Sequence, residues 1–396
     1  MRVLALFVML LTTVGCSVLS TREHCVEFLG EIDRDYNPVV PVLFEWNGGW
    51  YAAMCGQKQG DTSILFLLQN IYVQEDKQEF IIATPGKFYP VNFKVVPIDS
   101  EILHLFFHGG LAEEGSELES DVGRGDSGFR EVSYKVKSTL LFCELKPHNQ
   151  EKNSNRCEVV PYDNPLVDYR DIPGGCIKVY KGPSNYIVYW VNRPMAGDAT
   201  ERICWYSSST RQVQQIEAKD CRDVWLHSSD SGPAFTILLW RNGSEIRRMP
   251  LAAGDMAKSE RVYWTNSIIF LLHADDQEYA ALKEDCDPCL LDVKRNIITK
   301  ITSPEGCGNT IRVLNYEGGR YLVFTDYSES GIHIRRICPG GLSVQEQFIP
   351  FGVRDASIDS ENYAIIGQDF VFLFDKDCPE RDTRQFCCSS APLIKE

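Results

Sequence analysis

The chain has 396 residues, 44% hydrophobic and 24% charged, a globular composition long enough for a large core and unlike that of a disordered chain. It carries 55 acidic against 40 basic residues, for a formal charge of −15. Phosphate backbones and anionic membranes attract Lys/Arg-rich surfaces, so this balance speaks against nucleic acid and anionic lipid as partners.

The N-terminus reads as a secretory signal over residues 1–20. Arg2 supplies the positive start, Val3 to Val14 is apolar, and the small residues Gly15, Ser17 and Ser20 follow. A membrane-spanning helix needs about 20 apolar residues. The apolar run is shorter, and no later stretch qualifies, so no membrane insertion is expected after cleavage and the location is extracellular. Cleavage removes Cys16 and leaves 14 of the 15 Cys, an even number that suits an oxidising compartment.

From residue 21 onward the chain is a succession of short β-type segments closed by turn residues. The clearest unit is 309–350, where TIRVLNY, RYLVFTD, IHIRRIC and LSVQEQFIP make four strands. One four-stranded sheet cannot bury both faces alone and needs copies stacked beside it. A strand, a tight polar turn and a very hydrophobic strand recur near residues 50, 102, 185, 233, 268, 321 and 363. The spacing predicts an all-β propeller of about seven four-stranded blades over 21–380, stapled by disulfides. Residues 381–396 are left as a tail. The last unit lacks a fourth strand, and HCVEFLGEI near the mature N-terminus supplies one. That strand would close the ring, with Cys25 bonded to Cys378, Cys387 or Cys388. Asp275 to Glu284 reads as a short loop helix. Two stacked β-sandwiches are the rival architecture.

Other pairs of cysteines flank predicted hairpins: Cys143 with Cys157, Cys204 with Cys221, and Cys289 with Cys307. Each is expected to form a local disulfide. Cys286-Asp-Pro-Cys289 lacks both the second pair a zinc knuckle needs and the βαβ context of a redox dithiol, so no metal or cofactor is expected. The seven His are scattered and adjoin no nucleophile motif, and no phosphate or dinucleotide fingerprint is present, so no catalytic residue is assigned.

Three short stretches carry resemblances. Gly48-Gly49-Trp50-Tyr51 is similar to the Gly-x-Trp-Tyr entry of lipocalin barrels, but no second copy follows. Ser228 to Phe235 resembles the Asp-box of sialidase-type propellers. It occurs once, between the first two strands of a blade, and is read as a turn. Gly109 to Gly128 is rich in Gly, Ser and acids, and is read as an exposed loop. It contains Arg124-Gly125-Asp126-Ser127, which resembles the RGD adhesion motif of integrin ligands. The resemblance implies that Asp126 completes the coordination of a receptor-bound metal while Arg124 enters an acidic pocket. Asn242-Gly243-Ser244 is the one N-glycosylation sequon.

These features point to a secreted binding protein that meets an extracellular protein or glycan, with an integrin as the candidate receptor, through the Arg124-Gly125-Asp126 loop. The alternatives are a secreted carbohydrate-active enzyme of propeller type and a structural coat protein. Oligomeric state is not legible in the sequence.

Overall fold

A computed structural model describes residues 25–392 apart from 34–37, 58–60, 74, 113–134, 149–154, 163–165, 169–176, 183, 193–200, 220, 230–231, 240–243, 252–257, 268, 275–278, 285–286, 294, 301–306, 317, 327–330, 339–340, 351–362 and 379–382. The described residues form β-strands joined by turns. β1 (Cys25–Asp33) comes first. β2 (Pro38–Trp46), β3 (Gly49–Gly56), β4 (Ser63–Asn70) and β5 (Lys77–Ala83) make sheet 1. β6 (Phe88–Pro97), β7 (Leu103–Leu111) and β8 (Lys135–Leu145) make sheet 2, with β9 (Glu158–Val159) and β10 (Leu166–Asp168) both paired to β8. Sheet 3 holds β11 (Lys178–Lys181), β12 (Tyr186–Asn192), β13 (Arg202–Ser207) and β14 (Gln212–Glu217). Sheet 4 holds β15 (Cys221–Ser229), β16 (Gly232–Leu239), β17 (Glu245–Pro250) and β18 (Glu260–Trp264). Sheet 5 holds β19 (Ile269–Ala274), β20 (Tyr279–Glu284), β21 (Asp287–Asp292) and β22 (Ile297–Lys300). Sheet 6 holds β23 (Cys307–Tyr316), β24 (Gly319–Asp326), β25 (Gly331–Cys338) and β26 (Gly341–Pro350). β27 (Tyr363–Ile366), β28 (Asp369–Cys378) and β29 (Thr383–Pro392) join β1 in the last sheet, in the order β1-β29-β28-β27.

The fold is an all-β propeller. Each sheet packs on the next through its own apolar cluster, from Phe66 against Phe93 between sheets 1 and 2 round to Leu43 against Val371 between sheet 1 and the last. A strand covered on both faces needs no polar alternation. All seven residues of β12, YIVYWVN, are buried. Side chains such as Trp190, Phe106 and Phe372 are fully enclosed, each contributing roughly 1.5–3 kcal/mol by leaving water. The fourth strand β5 instead alternates: Lys77, Glu79, Ile81 and Ala83 are exposed, and charge on that edge discourages pairing with another chain.

The first strands of successive sheets touch one another, which places them innermost. On them Lys178 donates to Asp223 and to the Val224 carbonyl (3.0 Å), and its ammonium lies 4.1 Å from the Trp225 ring centre. Arg312, from sheet 6, stands 6.0 Å from the same ring. The one acid in this group is engaged by a buried lysine, an arrangement of paired charge and not a convergence of carboxylates.

Hairpin chemistry explains the tight turns. Asn47 and Gly48 both have positive φ, 53° and 69°, the requirement of a type I′ turn. The recurrences near 50, 102, 185, 233 and 321 are the first hairpin of a sheet. Those near 268 and 363 are corrected. Trp264 ends sheet 4 and Ile269 begins sheet 5, while Tyr363 belongs to the first strand of its sheet. The expected helix at 275–284 is also overturned over its described part, since Tyr279–Glu284 is β20. Ala280 faces sheet 4 and Ala281 faces sheet 6, so two adjacent alanines are buried at once and the strand shows no alternation.

Closure by the N-terminal strand is present: β1 runs antiparallel to β29. The 381–396 segment is therefore not a simple tail, because Thr383–Pro392 lies between β1 and β28. This register overturns a Cys25–Cys378 bond. Cys25 pairs with Ser390 and Cys378 with Thr383, so they stand at opposite ends of the sheet, roughly 24 Å apart along β29, against the roughly 7 Å a disulfide permits. The disulfides expected at Cys143–Cys157, Cys204–Cys221 and Cys289–Cys307 are likewise not formed; Cys143, Cys157, Cys204, Cys221 and Cys289 are buried thiols. The Sγ atoms of Cys143, Cys221 and Cys289 donate to the carbonyls of Glu144, Asp223 and Asp287. Cys143 also meets the Cys157 thiol side chain to side chain, so that expected pair is adjacent without being bonded.

Candidate functional site

Strand β7 organises the candidate site. The predicted binding residues Arg124, Gly125, Asp126 and Ser127 lie outside the described residues, in the segment that joins β7 to β8. Asn242 lies outside them as well, between β16 and β17, and so does the signal segment. What the structure describes is the stem of the 113–134 insertion. β7 and β8 are antiparallel neighbours, with Gly109 opposite Thr139, Gly110 opposite Ser138 and Leu111 opposite Lys137. The insertion therefore leaves and re-enters sheet 2 at adjacent points. The stem is packed too closely for side chains: a Cβ on Gly109 would fall 2.0 Å from the Tyr89 carbonyl oxygen, and one on Gly110 2.3 Å from Val136 Cγ2. Ala112 N donates to Lys87 O at 2.9 Å and ties the last residue before the insertion to the approach to β6.

Beneath the stem, His108 is enclosed between sheets 2 and 3. Its Nε2 is 3.3 Å from Ser138 Oγ, and the Tyr162 hydroxyl donates to the Ser138 carbonyl at 2.9 Å. Burial alone pushes the His108 pKa down to about 4, so the ring is neutral near pH 7. A buried Ser–His contact has the elements of a nucleophile and a base, but here both side chains are at most 3% exposed and meet no substrate from solvent.

At the other end of β7 a second cluster reaches the surface. His104 Nδ1 is 2.6 Å from the Tyr186 hydroxyl, and its Nε2 is 3.7 Å from Glu144 Oε2. With Tyr186 donating to Nδ1, the Nε2 proton faces the carboxylate; this tautomer satisfies both contacts. Lys146 stands 3.3 Å from the other Glu144 oxygen. Phe142 meets the imidazole edge to face at 5.0 Å. Burial lowers the His104 pKa, opposed by Glu144 and assisted by Arg211. Burial likewise raises Tyr186 well above the usual phenol range, with Arg211 acting the other way. Arg211 itself sits at φ +54° in the turn between β13 and β14, a left-handed conformation that an arginine adopts at a cost. The arrangement is a Tyr–His–Glu chain, able to pass a proton between a phenol and a carboxylate at a half-exposed rim.

The sequence places His104 in a hydrophobic strand as a satisfied core residue, and Tyr186 carries no motif. What brings them together is the packing of two sheets, 82 positions apart in the chain. The one signal available was a polar ring at each of two otherwise apolar strands. The thiol of Cys289 is pushed up to about 11, first by burial, which is opposite to the depressed pKa of a redox cysteine. Among the described residues no group of three or more His, Cys, Asp or Glu is placed to hold a metal.

No protein-family profile matches the chain. No curated protein matches it either. Among solved structures it is similar to the polysaccharide lyase Uly1, at 8% identity and a TM-score of 0.50, over 89% of this chain and 90% of that one. It is also similar to the β-propeller domain of the Trilobed protease from Pyrococcus furiosus, which has an open velcro topology, at 10% identity and a TM-score of 0.49, over 94% and 97% of the two chains. At such identities the likeness concerns the fold.

Proposed function

We propose that the chain is an exported binding protein that displays the 113–134 insertion on a propeller frame and contacts an integrin-type receptor through Arg124, Gly125, Asp126 and Ser127. The observation that carries this reading is the stem. Both ends of the insertion meet sheet 2 at neighbouring residues of β7 and β8, and its outgoing end on β7 is held by two glycines that admit no side chain. A long polar segment held at its base by a rigid sheet is the usual way a scaffold presents a contact loop. The signal-like N-terminus supports export, and the net charge of −15 favours an extracellular protein or glycan over nucleic acid as partner. In solid-phase assays with purified integrins, binding is expected for the wild-type chain in the presence of divalent cation. It should fall about tenfold or more, about 1.4 kcal/mol, in Asp126→Glu, whose longer carboxylate no longer meets the metal in register with Arg124. Unchanged binding in that variant, or none by the wild type, sinks the reading.

A second reading is a carbohydrate-active enzyme, and the His104–Tyr186 contact with Glu144 beside it favours it. A pair of this kind can move a proton to and from a sugar carbon or hydroxyl. The similar fold of the polysaccharide lyase Uly1 is compatible with this reading. Its test is a screen of neutral and acidic polysaccharides for new reducing ends or unsaturated products. Any activity found should drop at least about a hundredfold in His104→Gln and in Tyr186→Phe. Activity that survives both changes assigns the chemistry elsewhere.

A further inference from the structure

Sheets 2 and 3 meet across a core whose middle is apolar, with Phe106, Leu140, Val188 and Cys204 in one cluster. Toward the insertion the enclosed side chains turn polar. Asn92, His108, Ser138 and Trp190 are each at most 4% exposed. Asn92 and His108 lie opposite each other on β6 and β7. The His108 and Trp190 rings are 6.2 Å apart, and Tyr162 closes on Trp190 edge to face at 5.2 Å. Three buried atoms of this group have no hydrogen-bond partner: Asn92 Oδ1, His108 Nδ1 and Trp190 Nε1. The first accepts, the last donates, and the imidazole nitrogen takes either role by tautomer. Orphaned buried polar atoms are rare in folded proteins, and these three belong to neighbouring residues on three strands, Asn92 beside His108 and His108 beside Trp190.

We propose that Asn92 Oδ1, His108 Nδ1 and Trp190 Nε1 form a buried site for water, one molecule or a bonded pair, which ties sheet 2 to sheet 3 beneath the stem of the insertion. Water matches the set: it accepts from the indole, donates to the amide oxygen and complements either tautomer of His108. A cation finds an N–H donor facing it, and an anion finds an amide oxygen, so a charged occupant is disfavoured by one wall in each case. Buried waters with two to four such partners are regular parts of protein interiors.

The probe is water itself, and the protein is the full chain. In nuclear Overhauser spectra the Trp190 indole proton, assigned by its loss in Trp190→Phe, should show a cross-peak to water with the sign of a long-lived complex. Asn92→Leu, which fills the spot with apolar atoms, should remove the peak. A protected indole proton with no water cross-peak in the wild type overturns the proposal, as does a peak that persists in Asn92→Leu. Should Asn92→Leu fail to fold, a crystal structure at about 1.5 Å decides the matter. Ordered density within hydrogen-bond reach of all three atoms supports the site, and direct protein contacts by them refute it.

Discussion

Gly109→Ala should destabilise the protein by about 3 kcal/mol or more, with the midpoint of urea unfolding shifted accordingly and the slope unchanged. The added methyl would sit 2.0 Å from the Tyr89 carbonyl oxygen and 2.8 Å from its carbon, both backbone atoms of the neighbouring strand. Backbone within a hydrogen-bonded ladder has no rotamer to change, so β6 and β7 must separate. Phe88, whose ring tip would be 2.9 Å away, fills the same corner and is fully buried. Gly110→Ala should cost less, because its obstacle is the Val136 side chain, although a β-branched residue turns reluctantly. Gly86→Ala is the control: its nearest neighbour would be a Leu111 methyl at 3.6 Å, ordinary contact, and a change within about 0.5 kcal/mol is expected. Equal stability of Gly109→Ala and Gly86→Ala would show that the stem is not closely packed.

The second large effect is on acid stability. His108 titrates near 6.5 in an unfolded chain and at about 4 in the folded one. Its folded pKa is depressed by burial, so the folded state prefers the neutral ring. Between those two values the unfolded chain binds a proton that the native protein refuses. Stability therefore falls as pH drops from about 6.5 to about 4, by roughly 3 kcal/mol in all, and this contribution is level outside that window. His104 is depressed in the same direction and adds to the same slope. Glu346 is also lowered, chiefly by its hydrogen bond from His333; its contribution is lost at lower pH, below the usual carboxylate value, and so overlaps little above pH 5. His108→Gln keeps a donor toward Ser138 and removes the titration. Urea midpoints measured from pH 7 to 5 should fall in the wild type and fall less steeply in this variant, which keeps only the His104 contribution. Parallel curves would mean that His108 is protonated in the folded protein.

Much of the fold is legible in local patterns, because turn residues and β-branched runs act within a few positions. The four strands of 307–350 follow the sequence reading closely, and the Asn47-Gly48 turn is a hairpin signal that needs no context. Errors cluster where burial on two faces erases the period-2 alternation. Ala280 and Ala281 look like helix, and Arg261 to Trp264 looks like the opening of sheet 5 although it closes sheet 4. β29 is masked in the sequence for a different reason: TRQFCCSSAP is polar at both ends, and its central Cys387 and Cys388 suggest half-cystines before they suggest a strand. Cysteine pairing is hidden from the sequence as well. Even counts and spacing speak to compartment and proximity, whereas bonding depends on where each Sγ points, and several point to a carbonyl of their own strand. At the candidate site, the insertion and its motif were visible as composition. The His104–Tyr186 and His108–Trp190 pairs were not, since no spacing rule links residues that face each other across two sheets.

By itself, then, the sequence determined that this is an all-β chain with an acidic surface, a signal-like start and an RGD-bearing insertion between two strands. These properties follow from residue type and short-range order, which solvent and backbone sterics read directly. The tertiary structure alone decided that the strand receiving β1 is β29, in the segment read as a tail, that a lysine and an arginine flank Trp225 on the inner strands, and that two histidines of one strand meet partners on the next sheet. Those contacts are set by how the sheets stack around a common centre, and stacking is a property of the whole ring that no stretch of chain carries alone.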